Sequence, residues 1–514
     1  MTLARSWSVG LVGLDGHLIE VEADIAQALP GFQIIGLPDA ALNEAKDRVR
    51  AAVANSGLPW PASKKLTIGL SPAAIRKTGS AYDLAVACAI LAADESVPPA
   101  ALAGVVMIGE LGLDGRVRPV PGVLPAVLTA VRTGVRRVVV PSHNAAEAAL
   151  VPGVEVVGVP HLAALVRWLR GEPPVNDELM LDPAPAPPAE DVNAPDLRDV
   201  MGQAMGRRAL EVAAAGGHHV FLVGPPGAGK TMLAERLPGL LPRLDDVAAL
   251  EVTAVHSVAG KLPAAGALVT RPPFQSPHHS TTVPALLGGG SGVPKPGAVS
   301  LAHRGVLFMD EAPEFRAGML EGLRQPLESG EITISRSDGT ARYPARFLLV
   351  LAANPCSCVR ASGKPSACTC SPAARRRYLG RLSGPLLDRV DIQLQLYAVG
   401  RGDLVGATPA EDTATVAARV AEAREAARRR FAGTPWHTNS EIPAEALRFR
   451  WPIPPRLLHD VDGHLDAGRL SARGRDRVQR LAWTVADLSG HDSPSREDVE
   501  EALALRSGAD AVAA

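Results

Sequence analysis

The residues best placed to do chemistry are Lys230, Thr231, Asp310 and Glu311. Lys230 and Thr231 end the run GPPGAGKT, which fits G-x-x-x-x-G-K-[ST] at Gly224, Gly229, Lys230 and Thr231. In such a loop Gly224, Pro225, Pro226, Gly227, Ala228 and Gly229 carry little side chain, so backbone N–H groups can turn inward around phosphate oxygens. The helix opening at Lys230, Thr231 and Met232 adds unpaired N–H groups and its positive dipole end. Lys230 would reach the β and γ phosphates, and Thr231 would place its hydroxyl on Mg²⁺. Asp310 and Glu311 end GVLFMDE. Asp310 is expected in the Mg²⁺ shell, with Glu311 polarising the attacking water as general base. Asn354, at the end of another apolar run, is placed to hydrogen-bond the γ-phosphate or that water. The constellation implies binding of a nucleoside triphosphate.

Such residues need a sheet to hold them. Val220–Val223, Val306–Met309 and the run 347–353 are apolar throughout, as strands of a parallel sheet covered on both faces should be. A helix is expected over about 203–215, and Val200–Gln203 either line the adenine or simply start that helix. Residues 273–305 are too polar and Gly-rich for core and read as a long functional loop. Within it His278 and His279 read as hydrogen-bonding or substrate-facing rather than metal ligands. Residues 327–342 alternate around Asp338–Gly339 and predict a projecting hairpin. From 401 onward the pattern is helical, with Thr413–Arg430 amphipathic, two helices within 455–488, and a capping box at Ser495 and Asp498.

Three further groups carry chemistry with an open alternative. Cys356, Cys358, Cys368 and Cys370 form two C-x-C pairs, which suit tetrahedral Zn²⁺ or reduced thiols without metal. Arg375–Arg377 with Tyr378 and Arg381 make a basic-aromatic patch that meets phosphate backbone or is a solvated helix face. Arg389, in PLLDRVDI, serves as an arginine finger in trans or pairs structurally with Asp388. Arg473 opens a helix from which it could reach back to the nucleotide as a second sensor.

The 514 residues suit about three domains. A formal net charge of −1 excludes a globally basic nucleic-acid coat, so any DNA contact must be local. No apolar run reaches the roughly 18 residues needed to span a bilayer, and the N-terminus lacks a signal-peptide pattern. A cytoplasmic protein without membrane contact is expected. Residues 1–171 alternate strands and helices as an α/β domain, 172–198 form a linker rich in Pro, Ala and acids, 199–400 hold the nucleotide module, and 401–514 a helical lid.

The segments KTGSAYDLAVACAIL and GELGLDGRVRPVPGVLPAV resemble the proteolytic domain of Lon-type proteases, which implies a ribosomal S5 domain 2-like α/β fold. That family uses a Ser–Lys dyad. Here the nucleophile position falls on Ala81 and the Lys position near Leu124, and Ser80 is one residue off, so a fold kept without protease chemistry is expected.

The P-loop, the DE strand, the polar strand end, the trans Arg and the helical lid together resemble an AAA+ ATPase. PHHSTTVPALLGGG, PGAVSLAHRGVLFMDEAPEF, AANPCSCV, YLGRLSGPLLDRVDI and LSARGRDRVQRLAWTVADL narrow the resemblance to the magnesium-chelatase-like YifB/ComM family. That resemblance spans nearly the whole chain. It implies ATP and Mg²⁺, a homo-hexameric ring, DNA as substrate through branch migration or helicase action, and recombination proteins as partners. It also implies that 273–305 and 327–342 face the pore, and it assigns the family's roles to Lys230, Thr231, Asp310, Glu311, Asn354, Arg389 and Arg473. A chelatase-type ATPase driving metal insertion through partner proteins is the second reading, and a non-enzymatic or protease-linked scaffold the third.

Overall fold

The computed structural model describes residues 2–172, 194–262, 266–290, 294–336, 339–358, 370–400 and 410–508. Most of the expected linker, and Cys368, lie outside the described residues.

Two large sheets organise the chain. The front sheet runs Gly31–Ile35, Lys65–Ser71, Asp15–Ala26, Thr2–Val12, Val105–Met107, Arg137–Pro141, Glu155–Val159. Thr2–Val12 and Asp15–Ala26 pair antiparallel along their whole length as one long hairpin. Period-two alternation sends Ile19, Val21, Ala23 and Ile25 inward. They meet Asp83–Ala93, a helix buried on every side, which explains its unbroken apolar composition.

The second sheet is parallel throughout, in the order Phe274–Gln275, Val306–Met309, Leu348–Ala353, Val220–Val223, Ile392–Gln395. Alternate residues of each central strand enter opposite cores. Val220, Leu222, Phe308 and Val350 pack under helices Ala204–Gly216, Thr413–Arg430 and Ala472–Ser489. Phe221, Val223, Met309 and Leu351 pack on the other face with Leu286, Phe315, Ile332 and Tyr343. Burial on both faces is what continuous apolar runs require. The lid closes with Arg496–Ser507, whose capping box between Ser495 and Asp498 is present.

Residues 273–305 depart from the expected loop. Phe274–Gln275 forms the sheet's edge, and Leu286, Val299 and Leu301 are buried from two short helices, Val283–Leu287 and Ala298–Leu301. Here a few spaced apolar residues supply core without any periodic run. The expected hairpin is present as Glu331–Arg336 paired with Gly339–Pro344; Asp338 lies outside the described residues.

The front unit is docked on the nucleotide unit. Glu147, buried, accepts from Leu124 N–H at 2.8 Å and from Ser257 Oγ at 2.5 Å, while Gly122 N–H donates to Ser257 O at 3.1 Å. Ser257 belongs to helix Asp246–Val258, whose Ala254 enters the front unit's core. At Gly13, in the turn of the long hairpin, an added Cβ would lie 3.0 Å from Arg342 O. Leu14 packs beside the core that holds Ile332 and Tyr343, so the front hairpin abuts the second one.

Candidate nucleotide site

Parallel strands bring the predicted residues to one edge. Gly224 follows Val223, Asn354 follows Ala353, and Asp310 follows Met309. Val223 is registered with Ala353, and Met309 with Leu351. Loops at the carboxyl ends of such a sheet form its natural ligand crevice.

The side chains meet there. Thr231 Oγ1 donates to Asp310 Oδ2 at 2.9 Å, which puts a hydroxyl and a carboxylate together as Mg²⁺ ligands require. Lys230, at the start of helix Lys230–Leu240, is buried, and its Nζ donates to Gly224 O at 2.7 Å, Pro225 O at 3.1 Å and Asn354 Oδ1 at 3.1 Å. Burial lowers the Lys230 pKa, against the opposing pull of Asp310 and Glu311. The ammonium is thus held at the loop by weakly competing carbonyls that phosphate oxygens can replace. Gly227 and Gly229 have φ of 79° and 84°, with open space where a Cβ would stand. Both the left-handed backbone and the room for an anion favour glycine.

Asp310 Oδ1 also accepts Glu311 N–H at 2.9 Å, and Glu311 itself has φ of 50°. A non-glycine residue in that region is uncommon. Its carboxylate lies 3.1 Å from His279 Nδ1.

Sequence reasoning missed one bridge at this site. Gln203 Nε2 donates to Ala228 O at 2.9 Å and to Tyr397 O at 2.6 Å, tying the loop to the chain beyond strand Ile392–Gln395. Around it Met201, Met205, Met232 and Tyr397 leave apolar surface exposed, suited to stack against a base. The expected adenine lining Val200–Gln203 includes Gln203, but its partners, 25 and 194 positions away, leave no local signal.

Arg389 lies elsewhere. Ile392 is registered with Val220, so Arg389 precedes the amino end of its strand while the phosphate loop follows the carboxyl end. The four-residue strand alone spans about 10 Å. Arg389 pairs with Glu328 and donates to Pro385 O at 2.6 Å; the recorded ion pair is with Glu328, not Asp388. Arg473, exposed in the first turn of Ala472–Ser489, is one of the charges that, after burial, lower the Arg389 pKa, together with Arg324 and Arg477. Arg473 therefore gathers with Arg389 at the amino edge and not at its own chain's phosphate loop. Arg477 there pairs with buried Asp391, and His218 lies 3.3 Å from the same carboxylate. Burial opposes the charge on Asp391, yet Arg477 and His218 hold its pKa well below the usual carboxylate range.

The remaining candidates divide. Cys356, Cys358 and Cys370 bring their sulfurs within 4.8 Å of one another, directly after Asn354. In the basic patch Arg375, Arg376 and Arg377 are exposed, whereas Tyr378 is buried and Arg381 pairs with Glu314 at 2.9 Å. In the front unit Ser80 donates to Glu110, and Lys77 Nζ, fully buried, donates to Leu70 O at 3.1 Å and to Pro72 O. Leu124 is buried in a helix. No described helix is long and apolar enough to cross a membrane.

Comparison with known proteins matches this arrangement. The family model "Subunit ChlI of Mg-chelatase" covers residues 21–144, "Magnesium chelatase, subunit ChlI" covers 196–404, and "Magnesium chelatase, subunit ChlI C-terminal" covers 410–506. An uncharacterised protein of Mycobacterium tuberculosis is 52% identical across 98% of this chain and 99% of its own. YifB of Escherichia coli is 40% identical across 98% of this chain and 97% of its own. The competence protein ComM of Haemophilus influenzae is 38% identical across 98% of each. A part-length similarity, 30% over 156 residues, links the chain to Lon protease 2 of Bacillus subtilis. With a phosphate loop, acidic strand end and lid in one parallel-sheet unit, and relatives matched end to end, the chain belongs to the YifB/ComM family of magnesium-chelatase-like AAA+ ATPases.

Proposed function

We propose that the chain is an ATP-hydrolysing ring motor, a homo-hexamer in the cytoplasm, that moves DNA strands as a branch-migration or helicase enzyme. One observation carries the ring: Lys230 and Thr231 sit at the carboxyl edge of the sheet and Arg389 and Arg473 at the amino edge. A single chain cannot close its own site, whereas a neighbour presenting its amino edge completes it. In that site Lys230 leaves the loop carbonyls for the β and γ phosphates, and Asn354 orients the attacking water. Glu311 accepts that water's proton. Arg389 and Arg473 of the next subunit neutralise charge as it develops on the γ-phosphate. Thr231 and Asp310 would hold Mg²⁺, which draws charge from the phosphate oxygens.

DNA as the polymer is supported by the similarity to a competence protein and by exposed Arg375, Arg376 and Arg377 on helix Pro372–Leu379. Lys295, Arg336 and Arg342 are exposed on the two insertions as well. Recombination proteins are the partners this reading implies. Cys356, Cys358 and Cys370, with Cys368 as the fourth thiol, hold a structural Zn²⁺ that braces the turn after Asn354. Near-stoichiometric zinc in purified protein, lost to a chelator together with activity, supports that site; metal-free protein of full activity refutes it.

The second reading, a chelatase-type ATPase driving metal insertion through partner proteins, is favoured by the names of the matching family models. ATP turnover measured with single-stranded, duplex, forked and four-way DNA, and separately with porphyrin, decides between them. Severalfold stimulation by DNA is expected. Stimulation by porphyrin alone, with no DNA bound, supports the second reading and ends the first.

A further inference from the structure

The amino edge of the parallel sheet opens into a cavity of about 1150 Å³. His219, Gly305, Phe347 and Asp391, each just before a strand of that sheet, line it, and helices Thr413–Arg430 and Ala472–Ser489 contribute Arg424 and Arg480. Every acid among its described lining residues is already committed. Glu328 pairs with Arg389, Asp391 with Arg477 and Glu425 with Arg428. Asp245 accepts Ala248 N–H at 2.8 Å as a helix cap, and Glu441 accepts His437 N–H at 2.7 Å. Arg424 and Arg480 are different: neither makes an ion pair among the described residues. Arg424 Nε and Nη2 both donate to Ala214 O, at 2.8 and 2.6 Å, and Arg480 Nε donates to Ile442 O at 2.7 Å. The remaining N–H groups of these guanidiniums carry no recorded hydrogen bond.

Carbonyl oxygens satisfy part of a guanidinium's hydrogen bonding but leave its charge unbalanced, and a cation withdrawn from water is costly without a counter-charge. Burial lowers the pKa of both side chains, that of Arg424 to about 10, yet arginine stays cationic near neutral pH. Guanidinium forks match phosphate oxygens, two N–H groups to two oxygens. The two arginines stand on different helices, and neither is among the charges that shift the other's pKa, so an anion serving both must carry two charged groups. Thr438 and Ser440, whose hydroxyls lie 3.1 Å apart, line the cavity as further donors. We propose that this cavity binds a ligand bearing two linked phosphate groups, a diphosphate, held by Arg424 at one end and by Arg480 at the other. The site is separate from the phosphate loop, which follows the opposite ends of the same strands. Its occupancy depends neither on hydrolysis nor on the ring.

Calorimetric titration of inorganic pyrophosphate, without Mg²⁺, into the full-length Lys230→Ala protein tests it, because that phosphate loop lacks its ammonium. One saturable site per chain is expected, weakened about tenfold or more when Arg424→Gln or Arg480→Gln is added. Glutamine keeps an N–H for Ala214 O or Ile442 O, so the lid should stay folded. Hydrogen exchange in Lys230→Ala is a second readout that leaves both arginines in place: pyrophosphate should protect amides over 436–442. Absence of saturable binding, or equal affinity with and without the arginines, overturns the proposal, as does protection confined to 224–231. Ring assembly lost in both glutamine variants, with no pyrophosphate bound by Lys230→Ala, gives the cavity to a second copy of the chain and overturns it as well.

Discussion

The front unit and the nucleotide unit each hold a hydroxyl, a lysine and acids close together, yet only one of them is open for chemistry. In the front unit Lys77 is committed to main-chain carbonyls, Ser80 to Glu110, and Asp83 to Arg48 and to Leu111 N–H at 3.2 Å. Burial raises the Asp83 pKa, against the stabilising Arg48 guanidinium, so this pair is a structural strut. In the nucleotide unit the same residue types stand past the ends of parallel strands, around glycines with space beside them. Residue type supplies reactivity in both. What differs is whether the topology leaves the groups facing a crevice. The front unit instead offers a docking face, through Glu147 and the Gly13 turn, against the elements that carry the insertions.

Substitutions can break this contrast. A large effect is expected at the base: Glu311→Gln should bind ATP normally and lose about 10²–10⁴-fold in kcat, measured by nucleotide binding beside steady-state turnover. Turnover within tenfold of wild type would remove Glu311 from that role. Next in size, Glu147→Ala strands buried donors at the junction and should cost about 2 kcal/mol. Thermal unfolding should shift, and hydrogen exchange should rise along Asp246–Val258; unchanged protection there would mean that the docking is not held by this carboxylate. The smallest effect belongs to Ser80→Ala, where one partly exposed hydrogen bond is lost and stability should change by about 1 kcal/mol or less. ATP turnover should be unchanged. A peptidase activity abolished by this variant would reverse the comparison outright.

The nucleotide unit was legible because its signals are local. A four-residue apolar strand, a glycine loop and a helix are contiguous, and strands buried on both faces leave unbroken apolar runs. The helical lid and its capping box were readable for the same reason. Gly31–Ile35 was not, since it is a short edge strand with only Ile34 buried, and Phe32, Ile34 and Ile35 make no continuous apolar run. Residues 273–305 hid their core contribution because Leu286 and Val299 lie apart among glycines and prolines. The side of the molecule on which Arg473 stands was beyond any local pattern. It is fixed by Arg477 meeting Asp391 across 86 positions of sequence, and the recorded partner of Arg389, Glu328, is likewise remote. Glu147, reaching Ser257 110 positions away, looks in sequence like any surface acid.

In the proposed ring, catalysis needs one subunit's carboxyl edge and another's amino edge. Arg389→Ala alone should lose about 10³-fold or more in kcat, and Lys230→Ala alone should be inactive. Titrating one variant into the other, at constant total protein, tests the claim directly by ATP turnover. Mixed rings contain interfaces with an intact Lys230 facing an intact Arg389, so activity should recover to a maximum near equal amounts. Mixtures that stay as inactive as the separate variants, in rings shown to exchange subunits, would place Arg389 in service of its own chain and contradict the account.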